Sequence, residues 1–249
     1  MALVEPIPDE PAATADLGGE RGLVIADVHA GVEAAFRSER GINLESRADE
    51  RRERALALVE RTGADRLVVL GDFMHSIGGP GGAERGEIEV LVESLPERVS
   101  VTLVKGNHDG DIESWIDGVD VTAGAGVRIG DVGFAHGHTW PAPEVLGADV
   151  VCVGHEHPCV RLEDEVGGSR VERVWLRGPL DRSAFADRLD CVDWAAPELI
   201  AFPAYNELVG GTWVNVAGDD FLAPFLPQGL ADGQAYLLDG TRLGAYAEI

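Results

Sequence analysis

The chain has 249 residues, 44 acidic against 20 basic, and a formal charge of −24. All but one of the basic residues are arginine, the exception being Lys105, and this balance excludes recognition of nucleic acid through a broad basic surface, which needs clustered Lys and Arg. Disorder is excluded too, because 45% of the residues are hydrophobic and fall into dense runs.

Residues 1–20 are acidic and proline-rich with no basic segment. They are expected to be a loosely held tail rather than a secretory signal, leaving 21–249 as a single domain. Residues 23–26 form a short apolar run ending in Asp27. Residues 47–61 carry Ala48, Ala55, Leu58 and Val59 at helical spacing, and Gly63 is placed to stop that helix. Residues 67–70 are the next buried strand, running into Gly71 and Asp72. Residues 76–86 read as a glycine-rich loop, and 87–95 as a helix ended by Pro96. Residues 99–104 form a strand leading into Gly106 and Asn107. The order βαβαβ predicts right-handed crossovers and a parallel sheet.

The second half is richer in strands. Residues 127–129 and 132–135 flank Gly130-Asp131 as a hairpin. Residues 149–153 are a further buried run before Gly154 and His155. Residues 160–163 and 170–176 flank Gly167-Gly168 as a second hairpin, and 234–238 read as a last strand. The expected architecture is α/β (α+β), with two packed mixed sheets flanked by helices.

The seven histidines are His29, His75, His108, His136, His138, His155 and His157. Each follows an apolar run, in a short turn containing Gly or Asp. Strand C-termini are where ligands bind in parallel α/β sheets, and convergent His/Asp clusters mark metal or catalytic sites. Asp27 and His29 are two residues apart, as are His155 and His157, so each pair points to one side of an extended segment. Asp72, Asn107, His108, Asp109, His136 and His138 follow neighbouring runs. Mixed His, Asp and Asn donors without Cys suit Mn²⁺, Fe²⁺, Zn²⁺ or Mg²⁺. Seven or eight such ligands, by that chemistry, are too many for one ion and right for two. Cys152, Cys159 and Cys191 form no CxxC pair. They are read as free thiols without a catalytic role, in a reducing cytoplasm.

Asp27-Val28-His29, Gly71-Asp72, Gly106-Asn107-His108-Asp109, His136-Gly137-His138 and Gly154-His155-Glu156-His157 together resemble the signature of the calcineurin-like metallophosphoesterases. The blocks D-x-H, GD, GNH[DE], H and GHxH occur in that order. Residues 202–215 resemble, more loosely, the tail of archaeal phosphoesterases related to the nuclease SbcD and of ligase-associated phosphoesterases. The first resemblance implies a four-layer sandwich and hydrolysis of phosphate esters with two divalent ions, manganese foremost. It implies that Asp27, His29 and His157 hold one ion, that Asn107, His136 and His155 hold the other, and that Asp72 bridges them. It also implies that His108 protonates the leaving oxygen or steadies the phosphoryl charge, with Asp109 orienting it. His75 and His138 lie outside the pattern and are candidates to line the substrate pocket.

A phosphodiesterase or nuclease-like activity is the leading expectation. A phosphomonoesterase on small nucleotides and a metal-binding interaction scaffold are the alternatives. Arg173, Trp175 and Arg177 alternate onto one side of a strand and could meet phosphates and bases. Residues 221–227 are apolar enough for a homodimer contact. No apolar run approaches the ~18 residues of a membrane span. The scattered acidity and near-absence of Lys suggest a halophilic source.

Overall fold

The computed structural model describes residues 2–77, 79, 81–164, 166–188, 194–216, 218 and 220–249. Cys191, and Gly78 and Pro80 of the glycine-rich loop, lie outside the described residues.

The first sheet has six strands in sequence order, β1 (Val4–Pro6), β2 (Ala12–Asp16), β3 (Arg21–Ile25), β4 (Arg66–Val69), β5 (Ser100–Val104) and β6 (Val119–Thr122). The strands β3 to β6 are parallel, as the βαβαβ pattern requires, and β1 and β2 add antiparallel at one edge. Residues 4–16 are therefore not a loose tail but paired strand. Ala12 and Ala13 are fully buried, and Ala12, Ala13 and Ala15 are small enough for the β2 backbone to lie close on the core. The acidic residues that suggested a tail occupy the turns and the outward positions.

The second sheet has eight strands, β7 (Val127–Ile129), β8 (Val132–Ala135), β9 (Val150–Val153), β10 (Cys159–Glu163), β11 (Ser169–Pro179), β12 (Glu198–Ala201), β13 (Gln234–Leu237) and β14 (Arg242–Ala245). Both predicted hairpins are present, β7 with β8 and β10 with β11. At its centre β8, β9 and β12 run parallel.

Period-two alternation builds the layers. Leu23, Ile25, Leu67 and Val69 face helices α2 (Ala48–Thr62) and α3 (Gly82–Ser94), meeting Ala55, Leu58, Val59, Ile88 and Leu91. Val24, Ala26, Val68 and Leu70 face the other way, onto Phe134, Cys152, Trp175, Ile200 and Phe202 of the second sheet. Val151, Val153, Val174 and Leu176 face outward from that sheet into a third core, closed by Phe185, Phe225 and Leu226. The result is two mixed sheets packed face to face with flanking helices. A shorter helix, α1 (Val32–Arg40), follows the first metal-type turn.

Helix α2 ends at Gly63 as expected, with the φ of 64° that glycine favours. Other local expectations change. Helix α3 begins at Gly82 rather than at residue 87. The Glu84 carboxylate accepts the Gly81 N–H at 2.6 Å and the Ser76 N–H at 2.6 Å, so a cap outweighs the local cost of glycine. The Arg173–Trp175–Arg177 side of β11 is not a free face. Trp175 is buried between the sheets against Phe202, Arg177 pairs with Glu198, and Arg173 donates to the Ala204 carbonyl. Residues 221–227 bury Ala223, Phe225 and Leu226 in the chain's own core and leave Leu222 exposed.

Candidate metal centre

Every histidine-bearing turn starts at the C-terminal end of a parallel strand. Asp27 and His29 follow β3, Asp72 and His75 follow β4, and Asn107, His108 and Asp109 follow β5. His136 and His138 follow β8, and His155 and His157 follow β9. The sheets pack with these ends together, which brings side chains far apart in sequence onto one rim.

The turns are sewn to one another. The N–H groups of Asp27, His29 and Ala30 donate to the carbonyls of Gly71, Asp72 and Phe73 at 3.2, 2.8 and 2.8 Å. The His155 N–H donates to the Asp27 carboxylate at 3.1 Å, and the His108 N–H to Asp72 Oδ1 at 3.0 Å. A Cβ at Gly106 would overlap the Asp72 carboxylate, and one at Gly71 would overlap the His136 ring. Glycine precedes these donors because backbone and side chain need the same space.

Three groups of possible ligand atoms lie within 4.8 Å of one another: Asp27, His29 and His157; His29, Asp72 and His108; and Asp72, His136 and His155. Asn107 Oδ1 lies 3.2 Å from His136 Nε2, beside the last group. Two residues are thus common to neighbouring groups, His29 and Asp72.

The ring orientations are set from behind. His136 Nδ1 donates to the Leu70 carbonyl and His157 Nδ1 to the Gly210 carbonyl, both at 2.7 Å. In its neutral form each therefore has a bare Nε2, the form a metal requires, and His157 reaches that form by giving up the proton that Asp27 stabilises. His108 Nδ1 donates to the His75 carbonyl, leaving Nε2 on the cleft side. His75 Nδ1 lies 3.4 Å from His29 Nδ1. His75 thus sits behind His29 and His108 rather than on the cleft. The His138 ring packs 5.3 Å from His136 and 6.1 Å from His155, also away from the cleft lining.

Asp109 differs from its expected role. Its buried carboxylate accepts the N–H groups of Phe73 at 2.8 Å, Met74 at 3.1 Å and Gly106 at 2.7 Å. It orders the two turns that carry Asp72 and Asn107, while the His75 carbonyl orients His108. A carboxylate next to a histidine in sequence need not face it after a turn.

The electrostatics call for cations. Asp27 and Asp72 are buried. Burial together with the charge of Asp27 pushes Asp72 up to about 8. Burial would also raise Asp27, but His157 beside it holds it at about 2. Burial lowers His29 to about 2, His136 to about 4 and His155 to about 3, keeping them neutral. Burial opposes the charge on His157, yet Asp27 at 3.3 Å raises it to about 9. Two buried carboxylates among mostly neutral imidazoles, with no cysteine, are a donor set for hard or borderline divalent ions. The residues present fit such ions.

Sequence reasoning passed over Glu156, Asn206 and Thr212. Glu156 is buried, accepting the Thr212 hydroxyl at 2.9 Å and the Ala223 N–H at 2.6 Å. The signal was available: in His-Glu-His the middle side chain points away from its neighbours, so Glu156 had to find partners in the core. Asn206 Nδ2 donates to the carbonyls of Val28 at 2.9 Å and His29 at 3.3 Å. These bonds fasten residues 202–215 over the first turn, making them one wall of a cleft of about 670 Å³. That cleft is floored by His29, Asp72, His108 and His157 and edged by Trp213 and Leu222.

This combination of face-to-face sheets and a His/Asp rim at converging strand ends defines a metal-dependent phosphoesterase class of fold and site. The chain belongs to the calcineurin-like phosphoesterase family, whose model matches residues 21–145, just over half of the chain. His155 and His157 lie beyond that match and close the site in space. No curated protein matches the chain. Among solved structures, the nuclease MPE of Pseudomonas putida is similar in fold at 20% identity, over 96% of this chain and 100% of its own, with a TM-score of 0.56. YfcE, a phosphoesterase from E. coli, is 22% identical over 57% of this chain and 73% of its own, with a TM-score of 0.37. A protein of unknown function from Aquifex aeolicus is 20% identical over 54% and 77%, with a TM-score of 0.38.

Proposed function

We propose that the chain is a dinuclear metal-dependent phosphoesterase that prefers phosphodiesters. The observation that carries this reading is the placement of Asp72. Its Oδ1 lies 3.4 Å from His136 Nε2, and its Oδ2 lies 3.7 Å from both His29 Nε2 and His108 Nε2. One carboxylate thus faces two separate sets of donors. Asp27, His29 and His157 would hold one ion, Asn107, His136 and His155 the other, and Asp72 would belong to both.

When bound, such an ion pair draws charge from the phosphoryl oxygens and acidifies water. The chain's residues supply the rest. The Leu70 and Gly210 carbonyls hold His136 and His157 in the ligating tautomer. His108, steadied through Nδ1, presents Nε2 to the cleft and delivers a proton to the departing oxygen. Asp109 keeps the Asp72 and Asn107 turns in register and exchanges no proton with substrate.

The preference for a diester rests on the cleft lining. Among the described residues that line it there is no Lys or Arg, and Asp220 stands at the edge. A monoester dianion would find no side-chain cation there beyond the ions. A diester carries one charge fewer, and its second ester group has Trp213 and Leu222 to lie against. Manganese is the first ion to test, followed by iron, zinc and magnesium, because the donor set accepts all four. The reading of residues 202–215 as the tail of an SbcD-related subgroup agrees with a diester substrate.

The experiment is a substrate panel with Mn²⁺ in molar KCl, comparing bis(p-nitrophenyl) phosphate, p-nitrophenyl phosphate, cyclic nucleotides and short DNA. Turnover of the diester above the monoester is expected. Faster turnover of the monoester would overturn the diester preference. A metal-loaded protein inert on the whole panel would replace the enzyme with a metal-binding scaffold.

A further inference from the structure

Positive charge missing from the metal cleft is gathered on the other side of the wall. A second cavity, of about 240 Å³, is lined by Arg47, Glu50, Arg51, Arg54, Tyr205 and Glu207, and Arg173 approaches Glu207 from outside that lining. Residues 205–208 line this cavity, and Gly210 and Gly211 of the same segment line the metal cleft.

Three guanidiniums converge there on one carboxylate. Arg173 Nη2 and Arg54 Nη1 lie 3.5 and 3.6 Å from Glu207 Oε1, and Arg47 Nη1 lies 3.7 Å from Oε2. Charge-assisted hydrogen bonds of this kind settle near ~2.7–2.9 Å. Glu207 therefore balances three arginines by charge without completing a fork with any of them. About half of its side chain is exposed, at 52%, so it can swing outward.

The arginines are held by other partners. Arg173 Nη1 donates to the Ala204 carbonyl at 2.8 Å. Arg54 Nε donates to Glu10 at 2.6 Å, and its guanidinium lies over the Tyr205 ring at 5.3 Å. Glu10 is also approached by Arg61 at 3.8 Å, so it is not dedicated to Arg54. Arg51 is consumed by Glu33 and Glu87 at 2.8 and 2.7 Å and contributes wall rather than free charge. What remains is a preformed set of donors around a carboxylate that fits it loosely. A tetrahedral oxyanion offers more acceptor directions than a planar carboxylate and suits donors arriving singly from three guanidiniums.

We propose that the pocket of Arg47 and Arg54, with Arg173 reaching Glu207 from beside it, is a phosphate-binding site that Glu207 closes in this structure. The bound group is either a phosphate of the substrate strand beyond the scissile bond or a free phosphate. In both cases it replaces Glu207 between the guanidiniums.

The test is calorimetric titration of inorganic phosphate into the full chain, its Glu207→Gln and Arg47→Ala variants, and the same two substitutions placed on Asp72→Asn. Glu207→Gln is expected to bind phosphate about tenfold more tightly, the effect of removing one competing charge. Arg47→Ala, at an exposed position, is expected to weaken binding by a similar factor. Both changes should persist with Asp72→Asn, which separates this pocket from the metal cleft. Affinities unchanged by Glu207→Gln and Arg47→Ala, or changes that vanish with Asp72→Asn, overturn the proposal. A gain in affinity is a readout that misfolding cannot imitate. A KM increase for Arg47→Ala on an oligonucleotide, absent on bis(p-nitrophenyl) phosphate, assigns the group to the substrate strand. Weakened phosphate binding with both KM values unchanged assigns it to a free phosphate.

Discussion

Among the described residues, eight non-glycine positions have a positive φ, and five of them are Asp27, His29, Asp72, His155 and His157. Such conformations cost about 1–3 kcal/mol each and persist where the surroundings over-determine them. Here the surroundings are the bonds between turns, and the strained backbone aims each donor at the rim. Two substitutions separate holding metal from using it. Asp72→Asn removes the charge shared by two donor sets and should lose metal content, read by elemental analysis. His108→Ala keeps those sets and should retain metal while turnover falls by about 10²–10⁴-fold, the usual contribution of a positioned acid. Full activity in either variant would reject these roles.

The same residues predict a dependence on pH. Without metal, Asp72 keeps a proton up to about 8 where an ordinary carboxylate loses it near 3.8, and His157 keeps one up to about 9 against 6.5. Histidines that burial keeps neutral offset this near 6.5, so the folded metal-free state binds more protons than the unfolded state only from about 7 to 8, and its stability falls as pH rises through that window. Divalent ions replace those protons, so their affinity rises over the same interval. The melting temperature of the metal-free chain should decline from about pH 7 to 8, while the stabilisation by Mn²⁺ grows. A stabilisation by Mn²⁺ that is flat across that range would show that these protons are not displaced.

At the scale of elements, the ligand-bearing turns were legible because alternation, a glycine and a strand end are local features. What was not legible depends on partners far away in the chain. Strand β2 reads as tail until β3 pairs with it. Helix α3 starts among glycines because Glu84 caps it, and Trp175 and Arg177 look like a binding face until Phe202 and Glu198 take them. Asp109 was identified as important but assigned the wrong partner, since the direction of a side chain after a turn is not written in its spacing. The segment 202–215 is the clearest case. The Phe202 and Tyr205 N–H groups donate to the carbonyls of Val153 and Ala26, both at 2.8 Å, one at each sheet, so the segment bridges the two halves of the site. Asn206→Ala would strip the Val28 and His29 carbonyls of a buried donor. Leaving such groups unpaired costs about 1–3 kcal/mol. A lower melting temperature with weaker Mn²⁺ binding is expected, and unchanged metal affinity would mean that the first turn holds its shape unaided.

At the scale of the whole molecule, the charge of −24 sits on a fold whose chemistry requires anionic substrates. The two are compatible if cationic charge meets the substrate locally, from ions that the rim would hold and from the arginines behind residues 205–208. Elsewhere the excess of acidic residues leaves a net negative surface. Self-repulsion destabilises the compact state, and it is screened once the Debye length falls from about 10 Å at 0.1 M to about 3 Å at 1 M salt. Raising KCl from 0.1 M to 1 M should therefore raise the melting temperature, and it should lower KM for an oligonucleotide more than for bis(p-nitrophenyl) phosphate, which carries a single charge. The paired measurement matters because general salting-out would stabilise the fold without distinguishing the substrates. Stability and activity that peak in dilute buffer would show that the acidic surface is not an adaptation to salt, and would leave the exclusion of long polyanions as its consequence.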